Sequence, residues 1–252
     1  MKIAGIIPAR YKSSRFPGKP LVLIAGKPMI IHVAEKAVTA LGKDQVWVAT
    51  EDQRIYNVVE SYGFQAVMTT DNPLTGTDRL YEASSKISAD IYINIQGDEP
   101  VINPNDIVEV LEYKLRNHGY VINAMTKISP KEDPSSINIP KVLVNGNNDL
   151  IYMSRLPIPG IKDSKSGIPE YKKQVCIYAF SFNELKLYGE YGGKASFEKF
   201  EDIEILRFLD LGIPVKMIET TGSSLAVDIP EDVIAVENFI SNKHNNINNK
   251  TE

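Results

Sequence analysis

The sequence holds one cysteine, Cys176, and three histidines, His32, His118 and His244. A lone thiol closes no intrachain disulfide. It lies in the apolar run Val175-Cys176-Ile177-Tyr178, where a free cysteine is expected to be a buried structural group. His32 falls in an apolar helical stretch, His118 at a helix end and His244 in a polar tail, so none is expected to be catalytic. Cys/His spacing of the zinc-binding kind is absent, which argues against a zinc site. No apolar run approaches a membrane span, and the apolar stretch near Met1 is too short for the core of a secretory signal. The expectation is a soluble cytoplasmic protein with no membrane partner. Surplus positive charge is missing too. Lys and Arg number 28 against 32 Asp and Glu, a net charge of −4, which argues against a nucleic-acid partner. A local cationic cluster for a small polyanion is still allowed. The turn after the first strand lacks both the Gly-x-Gly-x-x-Gly of a dinucleotide-binding dehydrogenase and the Gly-Lys-Ser/Thr of a usual P-loop.

What is present is ordinary globular composition, 43% hydrophobic and 24% charged over 252 residues, enough for one α/β core. Short apolar runs at 3–7, 46–50, 65–68 and 91–95 read as strands. Between them lie helical patterns: one from Pro28 to a stop at Gly42, one capped by Asp52 and ending at Gly63, and one over 77–87. Pro104 opens a further helix that ends near Gly119. Such alternation predicts βαβ units, a parallel sheet and a ligand site at the carboxyl ends of the strands. The second half is less regular. Strands are expected at 120–126, 141–144, 175–180 and 215–218, and helices at 198–211 and 230–240. The Pro-, Gly-, Ser- and Lys-rich stretch 157–171 reads as a mobile loop. Residues 1–242 read as one domain with an inserted lobe, and 243–252 as a disordered polar tail.

Three motifs carry chemistry. The first is the loop Pro8-Ala9-Arg10-Tyr11-Lys12-Ser13-Ser14-Arg15-Phe16-Pro17-Gly18-Lys19, directly after the first strand. Its backbone amides can cradle phosphate oxygens while Arg10, Lys12, Arg15 and Lys19 neutralise them. The second is Gln96-Gly97-Asp98-Glu99-Pro100, after the strand at 91–95. Gly97 permits close backbone approach, and Asp98 either suits magnesium or caps the next segment. In the third, Ala226-Val227-Asp228-Ile229-Pro230-Glu231-Asp232, Asp228 is either a helix-start signal or a second metal carboxylate. Spacing alone does not join Asp98 to Asp228.

These segments, with Gly26-Lys27-Pro28-Met29-Ile30, Thr75-Gly76-Thr77-Asp78-Arg79-Leu80 and Met153-Ser154-Arg155-Leu156-Pro157-Ile158-Pro159, resemble the 3-deoxy-manno-octulosonate (KDO) cytidylyltransferase family in order and over nearly the whole chain. The resemblance implies a Rossmann-like, three-layer α/β nucleotidyltransferase fold with a small inserted dimerisation lobe, and a homodimer. It implies CTP and an acidic sugar as substrates, Mg2+ as cofactor, and a product used in lipopolysaccharide synthesis. It implies catalytic roles for Arg10, Lys19, Asp98 and Asp228, with magnesium on the two aspartates. Nucleotide contacts would come from Pro8, Ala9, Arg10, Ser13, Arg15, Lys19, Gly76, Arg79, Gln96 and Asp98. Sugar contacts would come from Gln96, Arg155, Gln174, Tyr178, Glu201 and Glu204, with Arg155 gripping the acceptor carboxylate bidentately. The pattern departs in the sugar half. Gln174 and Cys176 stand where the family typically has His and Gly, Ile205 where it has Gln, and Thr221-Gly222-Ser223-Ser224-Leu225-Ala226 replaces a Gly-Thr-Gly ending. These changes leave open the acceptor, which is KDO, an amino-KDO, a sialic-acid-like sugar or a phosphonate. A regulatory protein that has lost catalysis is the rival of another class.

Overall fold

The computed structural model describes residues 1–12, 16–130, 132–163, 165, 167–222 and 224–248, with side chains to 242. Ser13 and Arg15 of the phosphate-loop expectation, and the side chain of His244, lie outside the described residues.

The apolar run at the N-terminus forms β1 (Ile3–Ala9), whose neighbours are β4 (Val46–Thr50) and β6 (Ile91–Ile95), both parallel to it. β5 (Gln65–Met68) continues the sheet beyond β4, also in parallel. The intervening helices are α1 (Met29–Leu41), α2 (Gln53–Ser61) and α3 (Gly76–Ser84). A two-residue hairpin, β2 (Leu23–Ile24) with β3 (Lys27–Pro28), precedes α1. Beyond β6 the order continues β10 (Lys172–Ser181), β7 (Val121–Lys127) and β11 (Val215–Glu219), with β10 antiparallel to both its neighbours. α4 (Pro104–Arg116) leads into β7. β8 (Lys141–Val144) pairs with β10 and with β9 (Leu150–Ser154), forming the inserted lobe. The architecture is the expected α/β layering on a mostly parallel sheet.

Side-chain alternation sorts the core. Ile7 and Ala9 of β1, with Ile91, Ile93 and Ile95 of β6, face α1, α2 and α4. Ala4, Ile6 and Tyr92 face the other way, onto α3, α5 (Phe182–Glu190) and α7 (Leu206–Asp210). Each fully buried Ile or Val contributes about 1.5–3 kcal/mol, so the register of β1 is strongly fixed. His32 takes a structural part, its Nε2 donating to the Ile24 carbonyl at 2.8 Å.

Four expectations change. The helix at 198–211 is two helices, α6 (Ser196–Glu201) and α7, because Asp202 turns left-handed at φ 51°. Short polar residues tolerate that conformation best after glycine. The helix expected from Pro230 to 240 is α8 (Asp232–Asn248), so residues 243–248 of the expected disordered tail are helical backbone. Their sequence contains no glycine or proline to stop the helix. The helix expected at 77–87 ends earlier, at Ser84. β9 and α5 were not anticipated. No helix among the described residues is long and apolar enough to cross a membrane.

Candidate active site

The chain leaves β1 toward β4 and β5 and returns on the other side at β6. That reversal opens a crevice at the carboxyl ends of β1 and β6. The crevice brings Pro8, Ala9 and Arg10 beside Gln96, Gly97 and Asp98. A Cβ on Gly97 would lie 2.7 Å from the Pro8 carbonyl oxygen, so only glycine lets the two strand ends approach this closely. Two adjoining cavities of about 540 and 520 Å³ occupy the crevice. Each is large enough for a small-molecule substrate. Pro8, Ala9, Lys19 and Arg79 line the first, and Glu99, Gln174, Cys176, Tyr178 and Glu204 the second. Arg10, Gly76, Gln96, Asp98, Arg155 and Asp228 border both.

Lys19 joins the distant motifs. Gly18, at φ 72°, donates its N–H to the Tyr11 carbonyl at 2.9 Å, closing the loop and turning Lys19 inward. Lys19 Nζ donates to Asp98 Oδ2 at 2.7 Å and to the Val227 carbonyl at 2.8 Å, and lies 3.7 Å from Asp228 Oδ1. Val227 N–H in turn donates to the Asp98 carbonyl at 2.9 Å, tying the C-terminal motif to the end of β6. Asp232 accepts the N–H groups of Asp228 and Ile229 at 2.7 and 3.0 Å. Asp232 thereby holds the backbone of the turn that carries Asp228.

The donor set fits magnesium. Two carboxylates already converge on one ammonium, so the position stabilises positive charge. No described group of three or more His, Cys, Asp or Glu could hold a metal. Magnesium is commonly bound by one or two carboxylates, with water and phosphate oxygens completing the shell.

On the first-cavity side, Arg10 is exposed and has no hydrogen bond or ion pair to another described residue. Thr75 and Asp78 form a capping box at the start of α3, which brings Gly76 to the cavity rim. A Cβ there would meet Pro8 Cγ at 3.2 Å and Gln96 Nε2 at 3.3 Å. Arg79 lines the floor but is deeply buried. Its NH1 lies 3.2 Å from Glu51 Oε2 and donates to the Thr69 hydroxyl. Burial lowers its pKa, with Glu51 opposing. Glu51 also accepts the Tyr11 N–H at 2.8 Å. Glu51 thus braces the loop and Arg79 together. The sequence signal for it was available: an acid one residue past β4, at the same sheet edge as the other motifs.

On the second-cavity side, Gln96 Nε2 donates to Glu204 Oε1 at 2.9 Å, and Glu204 Oε2 accepts the Thr77 N–H at 2.9 Å. Glu204 therefore holds Gln96 against α3, and burial raises its pKa. Arg155 corrects an expectation. Its Nε donates to the Glu201 carbonyl, NH1 to that of Ile137 at 2.7 Å and NH2 to that of Asp202 at 2.9 Å. The guanidinium satisfies two carbonyls freed by the α6–α7 break and that of Ile137, so a bidentate grip on an acceptor carboxylate is not set up. Glu201 is corrected too. It lines neither cavity, and its carboxylate accepts from Arg155 N–H at 2.8 Å and Tyr152 OH at 3.4 Å. Gln174 and Tyr178 do face the second cavity, from either side of a bulge in β10. Cys176 sits on that bulge, half-buried on the cavity wall instead of inside the core. Burial pushes its pKa well up, which keeps it a thiol and a poor nucleophile. Burial, aided by the charge of Asp98, pushes the Glu99 carboxyl up to about 7.

Comparison with known proteins fits this geometry. A family model described as cytidylyltransferase matches residues 4–216. The 3-deoxy-manno-octulosonate cytidylyltransferase of Escherichia coli is 39% identical over 225 residues, covering 89% of this chain and 90% of its own. The 8-amino-3,8-dideoxy-manno-octulosonate cytidylyltransferase of Shewanella pealeana is 40% identical over 239 residues, covering 92% and 96%. A solved structure of CMP:2-keto-3-deoxy-manno-octonic acid synthetase complexed with CTP matches at 38% identity and a TM-score of 0.88, covering 96% of this chain and 100% of the other. The chain belongs to the cytidylyltransferases, in the family of the 3-deoxy-manno-octulosonate enzymes.

Proposed function

We propose that the protein transfers CMP from CTP to the anomeric hydroxyl of a 3-deoxy-2-keto sugar acid, with KDO the first acceptor to test, and releases pyrophosphate. The single observation that carries this reading is the meeting of Asp98 and Asp228 at Lys19, where the two cavities join. The first cavity would take CTP and the second the sugar acid. Lys19 and Arg10 would neutralise phosphate charge, because transfer of this kind relies on positioning and electrostatics. Gln96, fixed by Glu204, stands on the border and would orient the acceptor hydroxyl. With Arg155 committed to carbonyls, Arg10 is the better-placed cation for the acceptor carboxylate, since it borders both cavities and has no hydrogen bond or ion pair to another described residue. Asp98 and Asp228 would hold magnesium, which supplies Lewis-acid polarisation when bound.

Pyrophosphate release should be measured with CTP, UTP and ATP against a panel of KDO, amino-KDO, a nonulosonate and a phosphonate. Release is expected with CTP and a sugar acid, and a chelator should reduce it to background. Equal release with UTP, or none with any acid, would refute the reading; activity surviving chelation would remove magnesium alone.

A homodimer is the second part of the proposal. Leu156, Phe197 and Phe200 are exposed on the loop after β9 and on α6, and Phe200 is 86% exposed. Tyr152 and Phe197 stack edge to face at 5.6 Å, so these elements form one patch. Apolar clusters of this kind mark interaction surfaces. Sedimentation should give twice the chain mass, and Phe200→Lys should shift it toward the monomer; an unshifted wild-type monomer would remove the dimer.

A further inference from the structure

Asn123, in the middle of β7, is wholly buried. The β10–β7 register pairs Val175 with Ala124 and Tyr178 with Asn123, leaving Cys176 and Ile177 bulged. Bulges unpair backbone groups and re-aim neighbouring side chains. Here Asn123 Nδ2 donates to the Val175 and Ile177 carbonyls at 2.8 and 3.0 Å. A carbonyl oxygen only accepts, so the amide cannot be the other way round. Asn123 Oδ1 must then be an acceptor, and its partner is Gln174 Nε2 at 3.0 Å. The same nitrogen reaches the Tyr178 hydroxyl at 3.4 Å. The orientation of the Gln174 amide follows. Its nitrogen is turned to the protein, and its Oε1 has no partner among the described residues, is not buried, and belongs to a residue lining the second cavity.

We infer that Asn123 is a positioning residue that locks Gln174 so that this side chain presents only a hydrogen-bond acceptor to the second cavity, selecting a sugar acid with a donor, hydroxyl or protonated amine, at that point. The inference rests on the acceptor reading of this cavity. A histidine in place of Gln174 would offer either polarity according to tautomer and protonation. The amide held by Asn123 offers one. A carboxylate or keto oxygen placed against it would meet repulsion. An acceptor lacking the donor would leave Oε1 desolvated and unpaired, which sites of this kind penalise heavily.

The test compares kcat/KM for the full sugar acid, its single-deoxy analogues and its amino counterpart in wild type, Gln174→Met and Asn123→Leu. Wild type should lose roughly ten- to a hundredfold on one deoxy analogue. Gln174→Met should lower the full acid to the level of that analogue, erasing the discrimination while KM for CTP stays within about twofold. Asn123→Leu, checked for folding by its thermal melt, should also erase the discrimination although Gln174 remains. Preference for the parent or for the amino acid identifies the donor as hydroxyl or ammonium, and either supports the inference if Gln174→Met abolishes it. Unchanged acceptor discrimination in Gln174→Met would overturn the inference while leaving cytidylyl transfer standing. If wild type turned over no sugar acid at all, the acceptor reading itself would fail and this inference with it.

Discussion

Asp98→Asn is expected to lower CTP-dependent pyrophosphate release by roughly a thousandfold or more, with little change in thermal stability. Asparagine keeps the size of the side chain and leaves the Val227-to-Asp98 backbone bond in place. The Lys19–Asp98 pair is partly open to solvent, with Asp98 32% exposed, so its loss should cost the fold no more than about 1 kcal/mol. The effect on the site is larger. One of the two carboxylates that converge on Lys19 becomes neutral, and the proposed magnesium position keeps only Asp228. Lys19 also loses its shorter ion pair, so its ammonium is no longer held at the border of the two cavities. Asp228→Asn should act in the same direction. Steady-state release beside a thermal melt separates the two quantities. A variant that kept more than about a tenth of the wild-type rate, a barrier change under roughly 1.4 kcal/mol, would show that Asp98 does not have this role.

The halves of the chain differed in legibility for a physical reason. In the first half, strands buried on both faces read as continuous apolar runs, and Gly42 and Asp52 mark the helix ends between them by local backbone chemistry. Local rules therefore placed the sheet, the crevice and the loop from Pro8 to Lys19. The second half is held by long-range polar contacts that leave little trace in a window of sequence. Asp202 breaks the expected helix while Arg155, 47 residues away, takes its carbonyl. Arg155 was legible as a cation near a sugar segment, but not as one already spent on carbonyls. Glu51 was missed because its partners, Tyr11 and Arg79, lie in other motifs. The Asp98–Asp228 meeting was legible only through family resemblance, since no local period spans it.

The largest stability effect is expected from Arg207→Met. Arg207 is fully buried and holds three elements together. Its Nε and NH2 donate to Glu198 at 2.7 Å each, and NH1 donates to Asp78 at 2.6 Å. Its guanidinium lies 3.7 Å over the Tyr188 ring. Burial alone would lower its pKa, but the bonds to Glu198 and Asp78 outweigh that and hold it above its ordinary value. Methionine fills much of the space yet leaves Glu198, itself fully buried, without its cation. Breaking a buried pair from one side costs about 3–5 kcal/mol. In a chain of this size that is a fall in Tm of roughly 6–20 °C. Adding Glu198→Gln should restore part of the loss, because the stranded charge is removed; no recovery would mean that packing, not charge, was lost. Asp78 also closes the capping box with Thr75 at the cavity rim. Arg207→Met should therefore raise KM for CTP even at temperatures where the protein stays folded. A single variant that melted within about 2 °C of wild type would show that the network is dispensable, since that shift corresponds to only about 1 kcal/mol or less.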